Sequence, residues 1–99
     1  MPKDENSNMQ AESIAISALA FIAGDAELLP RFLAITGIEA ASIRQAAREP
    51  GFLAGVLDFL LAHEPSLMRF ASETGTDPAS VAEARRRLPN GDDRFEAST

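Results

Sequence analysis

The amino-acid sequence predicts an all-α fold: a compact bundle of about six helices made from two tandem three-helix repeats related by a pseudo-twofold axis. Three observations indicate this fold. Apolar residues recur at helical spacing, proline and glycine divide the chain into segments of helical length, and the chain matches itself when it is shifted by 38 positions. No segment is a convincing strand.

Three helices are expected in the first repeat, over residues 14–48. The first begins behind the capping-box spacing of residues 7–10, the second has to accommodate a proline in its opening turn, and a glutamate, Glu39, is placed to cap the short third. Helix-ending signals follow each of them: Gly24, Gly37 and the Glu-Pro-Gly turn at 49–51.

Three more helices are expected in the second repeat, over residues 52–86. The fourth helix, at 52–62, is apolar on nearly all sides and is therefore expected at the centre of the bundle. Pro65 and Pro78 open the fifth and sixth helices, since proline is tolerated at the first helical positions, and Gly75 ends the fifth.

The two repeats share eleven identities in thirty-five aligned pairs. A unit of this size cannot bury its own apolar face, so the copies should pack on each other with the first and fourth helices at the centre. The identical pairs are Leu19/Leu57, Phe21/Phe59, Leu29/Leu67, Arg31/Arg69, Phe32/Phe70, Thr36/Thr74, Gly37/Gly75, Ala41/Ala79, Ser42/Ser80, Ala46/Ala84 and Arg48/Arg86.

The composition favours a soluble cytoplasmic protein with one domain at residues 9–88, between disordered tails at 1–8 and 89–99. The chain has no cysteine, which excludes disulfides, thiolate catalysis and cysteine-based zinc sites. Its polar, acid-containing start lacks the pattern of a signal peptide, and its apolar stretches are too short to span a bilayer. We expect no membrane association.

Two arginines at equivalent repeat positions, Arg31 and Arg69, are the first candidate site residues. The structural interpretation is that each guanidinium reaches helix carbonyls or a nearby carboxylate. The functional alternative is a pair of anion-binding sites related by the pseudo-twofold. His63, the single histidine, is explained by the helix C-terminus beside it. We expect no catalytic residue, metal site or cofactor.

A small-residue face on the fourth helix is the second candidate, as a surface for a homodimer or another partner. Its residues are Ala54, Gly55, Asp58 and Ala62. Asp58 interrupts the most apolar helix, so it either marks the solvent-facing edge, which we favour, or is a buried acid paired with an arginine.

Nucleic acid is not the expected partner, because the net charge is −6 and phosphate binding needs a basic surface. A DNA-associated regulator is kept as an alternative function. It would use the basic run 85–87, with Arg44 and Arg48.

Three segments resemble the bacterial domain-of-unknown-function family 3572, over about residues 18–88. They are Phe32-Leu33-Ala34-Ile35-Thr36-Gly37-Ile38 with Ile43-Arg44, Glu49-Pro50-Gly51-Phe52-Leu53, and Leu57-Asp58-Phe59-Leu60-Leu61. The resemblance implies a small bacterial cytosolic protein and carries no activity, cofactor or functional residue.

The sequence therefore favours a non-enzymatic protein-interaction module whose partner is an unidentified protein or a second copy of the chain. The third hypothesis is an enzyme or small-ligand protein, and it requires that Arg31, Arg69, His63 and Asp58 converge on one pocket.

Overall fold

The structure is a computed structural model that describes residues 2–49 and 51–89, with side chains described from Met9 onward. The described residues form six α-helices and one 3₁₀ turn and contain no strand, which confirms the all-α prediction. The helices are α1 (Pro2–Ala23), α2 (Leu28–Thr36), α3 (Ile43–Ala46, preceded by the 3₁₀ turn Ala40–Ser42), α4 (Phe52–Leu61), α5 (Glu64–Thr74) and α6 (Pro78–Arg87).

The second helix of each repeat ends in the same way. Gly37 and Gly75 take the left-handed conformation, with φ of 76° and 73°, where a residue with a Cβ is strained. Each glycine donates its N–H to the carbonyl four residues earlier, at 2.8 and 2.9 Å. The hydroxyls of Thr36 and Thr74 also donate to carbonyls four residues earlier, at 2.8 and 2.7 Å.

One predicted helix start and one predicted helix cap are wrong. α1 begins at Pro2, so the capping-box residues 7–10 lie inside it and the helix runs through the expected boundary between tail and domain. Proline fixes φ near the helical value and needs no hydrogen-bond acceptor at a helix start. Glu39 precedes the 3₁₀ turn but makes no capping hydrogen bond, because its side chain is longer than those that favour this position. Of the expected C-terminal tail, only Pro89 lies within the described residues.

The core lies where α1 packs against α6 and α4. α1 contributes mostly small side chains, the buried Ala11, Ala15 and Ala18, followed by Ile22, and these positions recur at helical spacing along one stripe. α4 contributes five buried residues, namely Phe52, Ala54, Val56, Leu57 and Leu60. The small stripe allows the two larger apolar faces of α4 and α6 to approach α1 closely.

Two of the aromatic pairs that connect the halves of the chain correspond to each other in the repeat register. Phe21 packs edge-on against Phe70 with ring centroids 5.5 Å apart, and Phe59 packs edge-on against Phe32 at 5.4 Å. In the register of 38 residues, Phe21 corresponds to Phe59 and Phe32 to Phe70, so each pair takes one ring from each half. Superposition of residues 14–48 on 52–86 remains a prediction.

Candidate functional site

An open groove with a volume of about 430 Å³ lies between the C-terminal half of α2 and the outer face of α4. We call it the α2–α4 groove. It is lined by Arg31, Ile35, Thr36, Gly55, Asp58, Phe59, Ala62 and His63.

Helical spacing places these residues on facing surfaces. Arg31 and Ile35 are one turn apart on α2, and Gly55 and Phe59 are one turn apart on α4. The ring of Phe32 joins the two helices beneath the groove, because its neighbours on α4 pack edge-on against it, Phe59 at 5.4 Å and Phe52 at 6.0 Å. The floor of the groove is therefore fixed by the aromatic core.

The apolar wall of the groove on α2 is exposed. Ile35 is 68 % exposed, which is a large fraction for an isoleucine on a well-formed helix. The α4 side is shallow at Gly55 and Ala62, so a ligand could approach the helix backbone closely there. Opposite these small residues, Ile35 and the ring of Phe59 give the groove an apolar surface.

Asp58 and His63, on the α4 side, are engaged in local contacts. The Asp58 carboxylate accepts a hydrogen bond from Arg85 Nε at 2.6 Å and its side chain is 56 % exposed. Asp58 therefore lies at the solvent-facing edge, with an arginine of α6 beside it. The Nδ1 of His63 shares a hydrogen bond with the hydroxyl of buried Ser66, at 2.6 Å, which ties the α4–α5 turn to the first turn of α5.

Arg31 differs, since no carboxylate of the described residues lies within ion-pairing distance of it. Its guanidinium is exposed at the edge of the groove, next to the apolar wall. The five N–H donors of an arginine can bind a carboxylate or phosphate through two parallel hydrogen bonds. The groove thus combines an apolar surface with an available cation.

Arg69 lies elsewhere and has a structural role. It donates to the carboxylate of Asp25, lies 3.7 Å from an Oε atom of Glu73, and places its guanidinium carbon 5.2 Å from the ring centre of Phe21. This fulfils the structural interpretation, with a carboxylate as the partner. The arginine ties α5 to the turn between α1 and α2.

Asp25 is held by the backbone as well as by Arg69. Its Oδ1 accepts hydrogen bonds from the N–H groups of Glu27 and Leu28, each at 2.9 Å. The hydrogen bond from Arg69 is the largest cause that lowers the pKa of the Asp25 carboxyl from 3.8 to about 2, and the backbone donors add to it. The same contact raises the pKa of Arg69. This ion pair is thus maintained throughout the neutral range.

The structure brings together most, but not all, of the predicted site residues. Gly55, Asp58 and Ala62 line the groove, whereas Ala54 is buried and 3 % exposed. One residue corresponds to a rotation of about 100° along a helix, so Ala54 and its neighbour Gly55 face different directions. Arg31, His63 and Asp58 line one groove; Arg69 does not join them.

Sequence reasoning missed three lining residues, Ile35, Thr36 and Phe59. One signal could have found Ile35. In the repeat register it corresponds to Glu73, a charged residue that is exposed in the second copy. An apolar residue at a position where the other copy carries a charge indicates a surface that one copy uses and the other does not.

The basic run of α6 is balanced by acids. Arg86 and Arg87 both pair with Glu83, Arg87 with an Nε–Oε distance of 3.0 Å, and Arg85 pairs with Asp58. The hydrogen bond from Arg86 is the main cause that lowers the pKa of the Glu83 carboxyl. Each of these three arginines therefore has a carboxylate partner within the fold.

Neither a metal-binding cluster nor a single membrane-spanning helix occurs among the described residues. No three histidine, aspartate or glutamate side chains there are grouped so that they could hold a metal ion. No single helix in that part of the chain is long and apolar enough to cross a membrane; α1 and α2 meet the criterion only as a pair, and they are bent by 112°.

Comparison with known proteins gives one match. The family described as protein of unknown function (DUF3572) matches residues 8–91. Because the match covers most of the 99 residues, the chain belongs to this family, and the resemblance expected from the sequence is confirmed. No curated protein and no solved structure matches the chain.

Proposed function

We propose that this member of the DUF3572 family is a non-enzymatic protein-interaction module of a bacterial cytosol, and that a segment of its partner binds in the α2–α4 groove. One observation carries the proposal: the groove joins the exposed side chain of Ile35 to an arginine, Arg31, that has no carboxylate partner among the described residues. The lack of cysteine supports a reducing compartment.

Binding is favoured over catalysis by the state of the titratable groups in the groove. Asp58 is occupied by Arg85, and Nδ1 of His63 is occupied by Ser66. The guanidinium of Arg31 offers hydrogen-bond donors and no acceptor, so it cannot act as a general base. The groups with free surface are instead apolar side chains and a guanidinium, which recognise a partner without reacting with it.

A small-ligand protein is the second candidate, since three of the four residues that it requires, Arg31, His63 and Asp58, line one groove, although Arg69 does not. The groove volume of about 430 Å³ lies within the range of small-molecule sites. The groove is partly open and lies between two helices, which favours a peptide segment over a fully enclosed small molecule. Thermal shift with a panel of metabolites distinguishes the two candidates, because only a small-ligand protein should be stabilised by one of them.

The experiment compares three forms of the tagged protein as baits in a lysate of the source cell: wild type, Ile35→Asp and Met68→Asp. Met68 is a matched control, because it is an exposed apolar residue of α5, 49 % accessible, that does not line the groove. Mass spectrometry identifies the captured proteins, and thermal unfolding verifies that each bait is folded.

A protein retained by wild type and by Met68→Asp, but lost with Ile35→Asp, is the expected result. Equal capture by all three baits would contradict the groove as the binding site. If the captured protein is the chain itself, light scattering should show a wild-type dimer that Ile35→Asp dissociates.

A further inference from the structure

We infer that the segment bound in the α2–α4 groove presents a carboxylate to the guanidinium of Arg31, next to a bulky apolar side chain that packs on Ile35 and Phe59. This inference rests on the proposed function and specifies the chemistry of the partner: an acidic peptide segment with an adjacent apolar residue.

The site around Arg69 shows how such a carboxylate is bound. There the arginine at the register position of Arg31, Arg69, receives the carboxylate of Asp25 while its guanidinium lies over the ring of Phe21. The arginine comes from α5, the ring from the end of α1, and the acid from the turn between α1 and α2. A charge-assisted hydrogen bond beside an aromatic face is thus already used once within the fold.

The site around Arg31 has the arginine and the ring but lacks the corresponding acids. The register positions of Arg31 and Phe59 correspond to Arg69 and Phe21, and both residues line the groove. His63 stands at the position that corresponds to Asp25, and Ile35 at the position that corresponds to Glu73.

Both carboxylates near Arg69 are therefore absent around Arg31, because one is replaced by an imidazole and the other by an aliphatic side chain. The site has the groups that bind a carboxylate, but its one lining acid, Asp58, pairs with Arg85 and not with Arg31. A carboxylate from another molecule supplies the missing partner of Arg31.

The remaining features of the groove are consistent with this ligand. Asp58, the one acid among the lining residues, is held by Arg85 at 2.6 Å, which reduces its repulsion of an incoming acid. A carboxylate alone would fill little of the volume of about 430 Å³. The surface of Ile35 and Phe59 accounts for the rest, because burying it against an apolar side chain contributes favourable free energy.

The test is a display selection of random 12-residue peptides on the folded full chain. Affinities of the selected peptides are then measured by fluorescence polarisation. Five further proteins are compared with wild type: Arg31→Ala, the matched Arg69→Ala, His63→Asp, Ile35→Asp and the control Met68→Asp. Sodium hexanoate serves as a probe for a free small carboxylate. Thermal unfolding confirms that each variant is folded.

The His63→Asp variant is the most specific of these. It places a carboxylate at position 63, which corresponds to Asp25 in the repeat register. Position 63 directly precedes α5 and favours an acid, because the first N–H groups of a helix lack partners. The introduced carboxylate should pair with Arg31 and thereby compete with the peptide.

We expect the selected peptides to be enriched in aspartate or glutamate at a fixed distance from a large apolar residue. Arg31→Ala should weaken their binding about 10–100-fold, the effect of losing a charge-assisted hydrogen bond. His63→Asp should also weaken binding, whereas Arg69→Ala should leave the affinity unchanged and lower only the thermal stability.

The other outcomes separate the two proposals. Peptides that need Ile35 but bind Arg31→Ala or His63→Asp as well as wild type would overturn the carboxylate inference and leave the interaction module intact. The absence of any peptide that depends on Ile35 would overturn both. Hexanoate binding as tight as peptide binding would replace the peptide with a small carboxylic acid.

Discussion

The two halves of the chain share the order of their helices but differ in the third. In the second half, Asp77 caps α6 by accepting a hydrogen bond from the N–H of Ala79 at 3.0 Å, Pro78 opens the helix, and the helix runs to Arg87. In the first half, Glu39 makes no such bond, and a 3₁₀ turn leads into an α-helix of only four residues.

The comparison shows that shared residues do not determine the length of this helix. Ala41-Ser42 and Ala79-Ser80 are identical in sequence, yet only the second pair lies in a long helix. Two differences explain this result. A capped start satisfies backbone donors, and α6 is buried against α1 and α4, whereas no residue of α3 is fully buried.

Replacing Phe32 or Phe70 by alanine should have the largest effect on the free energy of unfolding. The comparison tests whether the two halves pack equivalently. Phe32 and Phe70 are both fully buried, so Phe32→Ala and Phe70→Ala should each lower the free energy of unfolding by about 3–5 kcal/mol. Urea unfolding measures this, and the milder Phe→Leu variants keep the comparison measurable if the alanine variants do not fold. A small cost for one ring alone would contradict equivalent packing of the halves.

Substitution by alanine should lower the free energy of unfolding more in α6 than in α3. Val81 is fully buried in α6, whereas its register partner Ile43 is only partly buried. Val81→Ala should cost about 2 kcal/mol and Ile43→Ala less than about 1 kcal/mol, although isoleucine loses more atoms. Chemical denaturation of both variants tests this. Equal costs would show that α3 contributes as much to the core as α6.

The two glycine ends should respond alike. Gly37→Ala and Gly75→Ala add a methyl group that meets no atom within 4 Å, so the cost comes from the left-handed backbone. We expect a loss of about 1 kcal/mol in each. Gly55→Ala is the control, because this glycine lies inside α4 without positive φ and without a neighbour within 4 Å. It should stabilise the helix by about 0.5–1 kcal/mol. Calorimetry should show opposite shifts in melting temperature.

The ion pair between Arg69 and Asp25 should make the free energy of unfolding depend on pH in the acid range. Folding lowers the pKa of Asp25 from 3.8 to about 2. The stabilisation by this group is therefore complete above its unfolded pKa, near 4, and is lost as the pH falls through about 2. Asp25→Asn should flatten the dependence of the unfolding free energy on pH between these values, measured by urea titration.

Arg69→Ala should flatten the same part of the pH profile, since it removes the main hydrogen-bond donor to Asp25. A wild-type slope in either variant would contradict the role of this pair. Arg31→Ala, in the other half, should keep the wild-type profile.

Most of the fold was predictable because residues close in sequence determine where each helix ends. Gly37 and Gly75 end α2 and α5 where the sequence indicates, and Pro65 and Pro78 lie in the first turns of α5 and α6. The start of α1 was not predictable, because residues 7–10 carry a capping pattern that the helix does not use.

The candidate site was predictable only in part, because it depends on contacts between distant residues. Arg31 and Arg69 are equivalent in sequence, and the acid that distinguishes them, Asp25, lies 44 positions from Arg69. α4 is apolar on nearly all sides, so its sequence does not show that Gly55 faces the groove while Ala54 faces the core.

The packing of α1 against α6 has a consequence for synthesis on the ribosome. The alanine stripe of α1 is translated first, but α6 (Pro78–Arg87), the later of the two helices that cover it, emerges after about sixty more residues. At bacterial or eukaryotic elongation rates the stripe is not fully covered for roughly 3–12 s. Methyl groups expose little apolar area during this interval compared with leucine or phenylalanine. An N-terminal helix built from alanine thus limits the opportunity for aggregation in the nascent chain.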